Sequence, residues 1–141
     1  MPEDNITPEA GSEEKKAPVK RRKIKRSSPH ARACIHAGMN NTIVTITDDD
    51  GNVLCSSSAG ACGFKGSRKS TPYAAKVTAE TAAEKSQAFG VEQVSVYING
   101  IGPGREQALR GLQGAGIDFD RIVDVTPIPH GGCRQKRRRR I

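Results

Sequence analysis

Residues 59–72, AGACGFKGSRKSTP, hold the densest set of side chains suited to one kind of chemistry. Gly60, Gly63 and Gly66 recur every third residue, so the backbone is free to take positive φ and to lie close to a partner. Lys65, Arg68 and Lys69 add three cations with no acid among them, and Ser67, Ser70 and Thr71 add hydroxyls. Thr71-Pro72 predicts a helix start, with threonine as N-cap and proline at the first helical position. Glycine, cation, hydroxyl and helix N-terminus together suit phosphate oxygens. No nucleophile and general base stand among them, so the chemistry is binding. A solvated surface loop with incidental charge is the plainer alternative.

A second glycine-rich turn, GIGPGRE at residues 100–106, falls between an expected strand and an expected helix. Gly102, Gly104 and Arg105 there suit phosphate or ribose contact, with a purely structural Gly/Pro turn as the alternative. The turn lacks the register and the following acid of a dinucleotide fingerprint, and no Lys-Ser/Thr follows as in a P-loop. A free nucleotide-binding switch is therefore excluded.

The third candidate is the C-terminal run RQKRRRR, in which Arg134, Lys136, Arg137, Arg138, Arg139 and Arg140 are cationic. Guanidinium groups match phosphate geometry, and such a run cannot fold alone. The alternative is a solubility or localisation tail. With both basic arms on a polyanion, an affinity loss on the order of 10³ or more is expected between about 50 and about 200 mM salt. His36, His130, Cys62 and Cys133 match no zinc-ligand spacing, so neither a metal nor another cofactor is expected.

The elements that must position these residues follow from periodicity. Residues 31–37, 42–47 and 53–57 read as strands, joined by GMNN and by DDDG turns into an antiparallel meander. A helix is expected over 72–89, with Ala75, Thr78, Ala79, Ala82, Ala83, Ser86 and Phe89 on one face and Gly90 stopping it. That stripe of small residues predicts that the helix sits unusually close to its sheet. Val94, Val96 and Ile98 alternate with polar residues as a strand, and Ala108, Leu109, Leu112 and Ala115 mark a short second helix. A last strand is expected over 122–126, ended by Pro127 and Pro129. The order βββαβαβ gives an α/β domain with a mixed sheet and two crossover helices.

At 141 residues the chain is one domain with tails: an extension at 1–29, the α/β domain at 30–128 and a basic tail at 129–141. Residues 1–30 carry eight Lys/Arg against five acids, residues 127–141 six against none, and 31–126 nine against ten. The folded part is thus near neutral and the net charge of +8 sits in the tails, which points to a polyanion partner and above all to nucleic acid. Composition predicts disorder in both tails when free. No signal peptide, no apolar run of membrane length and no CxxC pair occurs, which predicts a cytoplasmic protein with free thiols and no membrane association.

Four segments in order carry a family resemblance: NNTIVTITD at 40–48, GFKGSRKSTPYAA at 63–75, GPGRE at 102–106 and DVTPIPH-x-GCR at 124–134. Together they closely resemble the universal small-subunit ribosomal protein family number eleven, in its bacterial form, over about residues 30–141. The resemblance implies an RNase H-like fold in a structural, non-catalytic component of the small-subunit platform near the messenger exit. It implies contacts with small-subunit rRNA, with neighbouring proteins of families seven, eighteen and six, and messenger RNA close by, rather than a free homo-oligomer. Carried over by residue, the rRNA contacts are Lys65, Gly66, Ser67, Arg68 and Lys69, then Gly102, Gly104 and Arg105, then His130 and the basic tail. Gly131 stands where the family often has Asn, Asn99-Gly100-Ile101 replaces a more proline-rich turn, and the acidic N-terminal extension is long. The competing enzyme reading, an RNase H-like nuclease, needs clustered carboxylates starting on the first strand; that strand has none, and Glu80, Glu84 and Asp124 lack such a partner.

Overall fold

Alternation in the first strand sets the sheet. The computed structural model describes residues 28–138, and in β1 (His30–Ala37) Ala31, Ala33, Ile35 and Ala37 are buried while Arg32, Cys34 and His36 are exposed. β2 (Thr42–Thr47) pairs antiparallel with β1 so that Val44 and Ile46 continue the buried face. β3 (Val53–Ser58) extends it with Cys55 and Ser57. β4 (Gln93–Asn99) runs parallel to β1 on its other side, and β5 (Asp118–Asp124) runs parallel to β4. The sheet order is β3-β2-β1-β4-β5. With α1 (Pro72–Gln87) and α2 (Arg105–Gly114) in place, the expected βββαβαβ order and mixed sheet are observed.

Both helices cover the same sheet face, α1 over β2 and β3 and α2 against β1, and they pack on each other. Small side chains make this two-layer arrangement tight. Ala74, Ala75, Ala79, Ala82 and Ala83 of α1 are fully buried, as are Thr78 and Ser86, whose hydroxyls donate back to the Ala74 and Ala83 carbonyls at 2.7 Å each. At Gly111 of α2 a β-carbon would fall 2.6 Å from the Lys76 carbonyl oxygen and 2.9 Å from Ala79 Cβ, so the helices touch through backbone. The small-residue stripe pointed to a close approach of α1 to its sheet; the close approach seen at Gly111 is between α1 and α2.

β1 and β3 each run one residue longer than expected, and larger differences fall at β5 and α1. The last strand is Asp118–Asp124 rather than 122–126, because pairing with β4 begins at Gln93 and Asp118 and a bulge after Phe119 keeps that ring against the core. Beyond it, the Asp124 carboxylate accepts from the Thr126 amide at 2.9 Å, turning the chain off the sheet edge before Pro127. α1 ends at Gln87 rather than residue 89, since Gly90 takes φ +71° and the last turn closes through Phe89 N–H to the Ser86 carbonyl. Backbone pairing also reaches Ser28, which donates to the Phe89 carbonyl at 3.2 Å, and Pro29, which accepts from Glu92 and Gln93. The remainder of the expected extension, together with Arg139, Arg140 and Ile141, lies outside the described residues.

Candidate nucleic-acid interface

The cation-rich stretch folds locally before it meets anything else. Gly66–Ser70 forms a single 3-10 turn, entered from an extended Lys65 and left through an extended Thr71. Gly63 and Gly66 take φ of +90° and +58°, as the glycine spacing suggested, whereas Gly60 does not adopt positive φ. Gly60 instead gives room: the Lys69 stem crosses it, with Cδ 3.7 Å from where a β-carbon would stand. Lys65 and Arg68 are exposed and Lys69 half-buried, and among the described residues none of the three is in an ion pair. Their charges are free to meet an external anion.

The hydroxyls divide differently. Ser70 donates to the Ser67 carbonyl at 3.0 Å, and Thr71 donates to the Arg68 carbonyl at 2.8 Å while accepting from the Ala74 amide at 3.2 Å. Thr71 is thus the expected N-cap of α1. Of the three, only Ser67 has a hydroxyl without a partner among the described residues.

The tertiary fold brings the second glycine turn to the start of α1. At Gly102 a β-carbon would lie 2.2 Å from the Gly38 carbonyl oxygen, and at Gly104 2.7 Å from both Ala75 Cβ and Thr42 Oγ1. Only glycine lets this turn lie under the β1–β2 loop and against the first turn of α1. A groove of about 350 Å³ results, lined by Pro72 of α1 and by Gly102, Pro103, Arg105, Glu106 and Gln107. Gly104, as N-cap of α2, offers no capping side chain, so the first-turn N–H groups there keep their hydrogen-bonding capacity.

Arg105 sits at this groove but points its guanidinium inward. It donates to the Gly100 carbonyl, to Thr126 Oγ1 at 3.1 Å and to the Asp124 carboxylate. Hydrogen bonds from the Thr126 hydroxyl and amide, and then the Arg105 contact, hold the Asp124 carboxyl down at about 2. Arg105 therefore ties the start of α2 to the end of β5, where the basic tail departs. Its sequence neighbourhood gave no sign of this, because Asp124 lies 19 residues away.

His130, Arg134, Lys136, Arg137 and Arg138 are all exposed, on a segment without helix or strand over residues 125–138. The carboxylates weighed for catalysis are dispersed: Glu80 pairs with Lys76 at 3.5 Å, and Asp124 is held by Arg105 and Thr126. Among the described residues no group of three or more His, Cys, Asp or Glu could hold a metal ion. All four cysteines are free; Cys55 is buried, with its thiol pushed up by burial against the opposing pull of Lys85.

A two-layer α/β domain with a mixed five-stranded sheet thus carries a cationic turn unpaired among the described residues, a glycine-built groove and a basic tail, the make-up of a nucleic-acid-binding protein. Comparison with known proteins makes the class specific. Residues 18–140 match the family described as ribosomal protein S11. The chain is 52% identical over 127 residues to the small ribosomal subunit protein uS11 of Psychromonas ingrahamii (strain DSM 17664 / CCUG 51855 / 37), covering 89% of this chain and 98% of that one. The chain belongs to the ribosomal protein S11 family.

Proposed function

We propose that the protein is a structural, non-catalytic component of the cytoplasmic small ribosomal subunit, holding small-subunit rRNA through the 65–69 turn and the C-terminal tail. Membership of the S11 family supports the assignment to the subunit. The observation that carries the binding mode is the set Lys65, Arg68 and Lys69, presented at the entry and on the body of one 3-10 turn with no internal ion pair among the described residues. Three cations that the domain does not use itself are available for phosphate oxygens.

Gly66 and Ser67 contribute backbone and hydroxyl to the same contact. Gly102 and Gly104 shape the adjoining groove for the sugar–phosphate chain, while Arg105 acts by fixing the tail's exit. His130, Arg134, Lys136, Arg137, Arg138, Arg139 and Arg140 then extend the contact as a run of cations. Neighbouring platform proteins of families seven, eighteen and six, and messenger RNA in the exit region, complete the proposed surroundings.

The test is sedimentation of tagged protein from cells through a gradient that separates the subunits, followed by cross-linking to RNA. Co-migration with the small subunit and cross-links from the 65–69 turn to its rRNA are expected. A protein that stays at the top of the gradient refutes the reading.

A further inference from the structure

Of the two tyrosines in the chain, one is occupied and one is not, among the described residues. Tyr97, on the open face of the sheet, has the Arg121 guanidinium 5.7 Å from its ring centroid and accepts from Arg121 Nη2 at 2.8 Å. Tyr73 is 67% exposed, and its hydroxyl makes no hydrogen bond among the described residues. A lone exposed apolar side chain is ordinary on a protein surface. This one is set apart by what holds it and what surrounds it.

Tyr73 is the second residue of α1, directly after Pro72, so its backbone is rigidly placed. Its ring meets Phe64 at a centroid separation of 6.0 Å and an interplanar angle of 83°, an orthogonal contact that braces the ring while its exposure leaves a face open to solvent. Phe64 and Tyr73 bracket the turn that carries Lys65, Arg68 and Lys69. A braced aromatic face beside free cations is the combination that binds single-stranded nucleic acid: the ring stacks a base and the cations take the flanking phosphates. A paired duplex offers no exposed base to the ring.

We infer that Tyr73 is a stacking platform for an unpaired RNA base whose neighbouring phosphates lie on the 65–69 turn. This rests on the rRNA-binding reading and deepens it, by assigning the turn to a loop, bulge or splayed nucleotide rather than to a regular helix. Stacking is not an ionic contact, so losing it lowers affinity without changing how binding responds to salt. Losing the cations does both.

The experiment uses the full chain and four proteins: wild type, Tyr73→Phe, Tyr73→Ala and Tyr73→Trp. Because the chain has no tryptophan, the last substitution introduces a sole indole reporter at the platform. The probes are transcribed small-subunit rRNA, a single-stranded oligoadenylate and a fully paired RNA duplex of equal length, and thermal melts verify the fold of each variant. Tyr73→Ala is expected to weaken rRNA binding roughly 5- to 100-fold with an unchanged salt slope, while Tyr73→Phe matches wild type. Indole emission of Tyr73→Trp is expected to be quenched by the rRNA and the single strand but not by the duplex.

Wild-type binding to rRNA with no effect of Tyr73→Ala and no quenching overturns the stacking inference while leaving rRNA binding in place. Quenching by the duplex equal to that by the single strand also overturns it. Quenching that appears only when other small-subunit proteins are added overturns it in favour of a protein contact. Failure of wild type to bind rRNA at all overturns the parent reading, and the inference with it.

Discussion

Neutralising the 65–69 turn separates binding from folding, because the three cations have no internal partner among the described residues. The appropriate variant is Lys65→Gln with Arg68→Gln and Lys69→Met, the last keeping an unbranched stem over Gly60 where the lysine stem packs. No buried charge loses its counter-ion, so each substitution should change stability by no more than about 0.5 kcal/mol. Binding should respond strongly. Each phosphate contact contributes about 0.7 to the salt slope on single strands and about 0.9 on duplex, so three contacts lower the slope by roughly 2–3. If the wild-type and variant lines meet near 1 M salt, a slope lower by roughly 2 means about 100-fold weaker binding at about 0.1 M. Filter binding of small-subunit rRNA across a salt series, with a melt of each protein, reads both quantities. An unchanged slope and affinity would refute the site and leave the C-terminal tail as the main anchor. A lowered slope accompanied by a collapsed melting temperature would refute the separation of charge from fold.

Three further outcomes follow from the geometry. Gly111→Ala must push its new methyl against the Lys76 carbonyl and Ala79, costing about 1–3 kcal/mol that helix propensity offsets by about 1, whereas Gly114→Ala has open space and should be neutral or slightly stabilising; melts of the two variants should differ in sign or nearly so. The Asp124 carboxyl is held below its ordinary 3.8, so its contacts with Arg105 and Thr126 contribute fully above that value and are lost as pH falls through about 2; the Thr126 amide resonance should report a midpoint near 2, and one near 3.8 would deny the clamp. Deleting residues 135–141 removes five cations from outside the core and should leave the melt unchanged while impairing entry into subunits, whereas deleting 1–14 removes five acids and no base and should leave RNA affinity equal or slightly higher. Equal incorporation of both truncations would mean that the tail is no principal anchor.

Local order was legible in the residues because its causes are local. Period-two alternation in residues 31–37 and 94–98 has one cause, a half-buried strand, and Thr71-Pro72 satisfies helix N–H groups within four residues of itself. The alanine stripe of α1 announced close packing for the same reason: the absence of side-chain bulk can be read without knowing the neighbour. The charge runs were equally plain, since a segment with six cations in seven residues and no apolar content has no core to join. The strand Asp118–Asp124 was harder to place, because at a sheet edge only Phe119 and Val123 are partly buried, and Asp120, Arg121 and an exposed Ile122 between them mask the pattern.

Everything that depends on meeting across the chain was left to the tertiary structure. The sheet order places the 100–106 turn beneath the β1–β2 loop and beside the start of α1, so two stretches about 30 residues apart in sequence form one groove. The same geometry brings Asp124 to Arg105, so that a side chain expected at a phosphate also ties the start of α2 to the tail's exit. Ser70 and Thr71 are consumed in capping their own turn, which a count of hydroxyls cannot show. Tyr73 and Tyr97 are alike as letters, yet a cross-strand arginine covers one, while the other, braced edge-on by Phe64, stays exposed among the described residues. Residue types state which interactions a chain is able to make, and long-range packing decides which are satisfied inside the molecule and which remain for a partner.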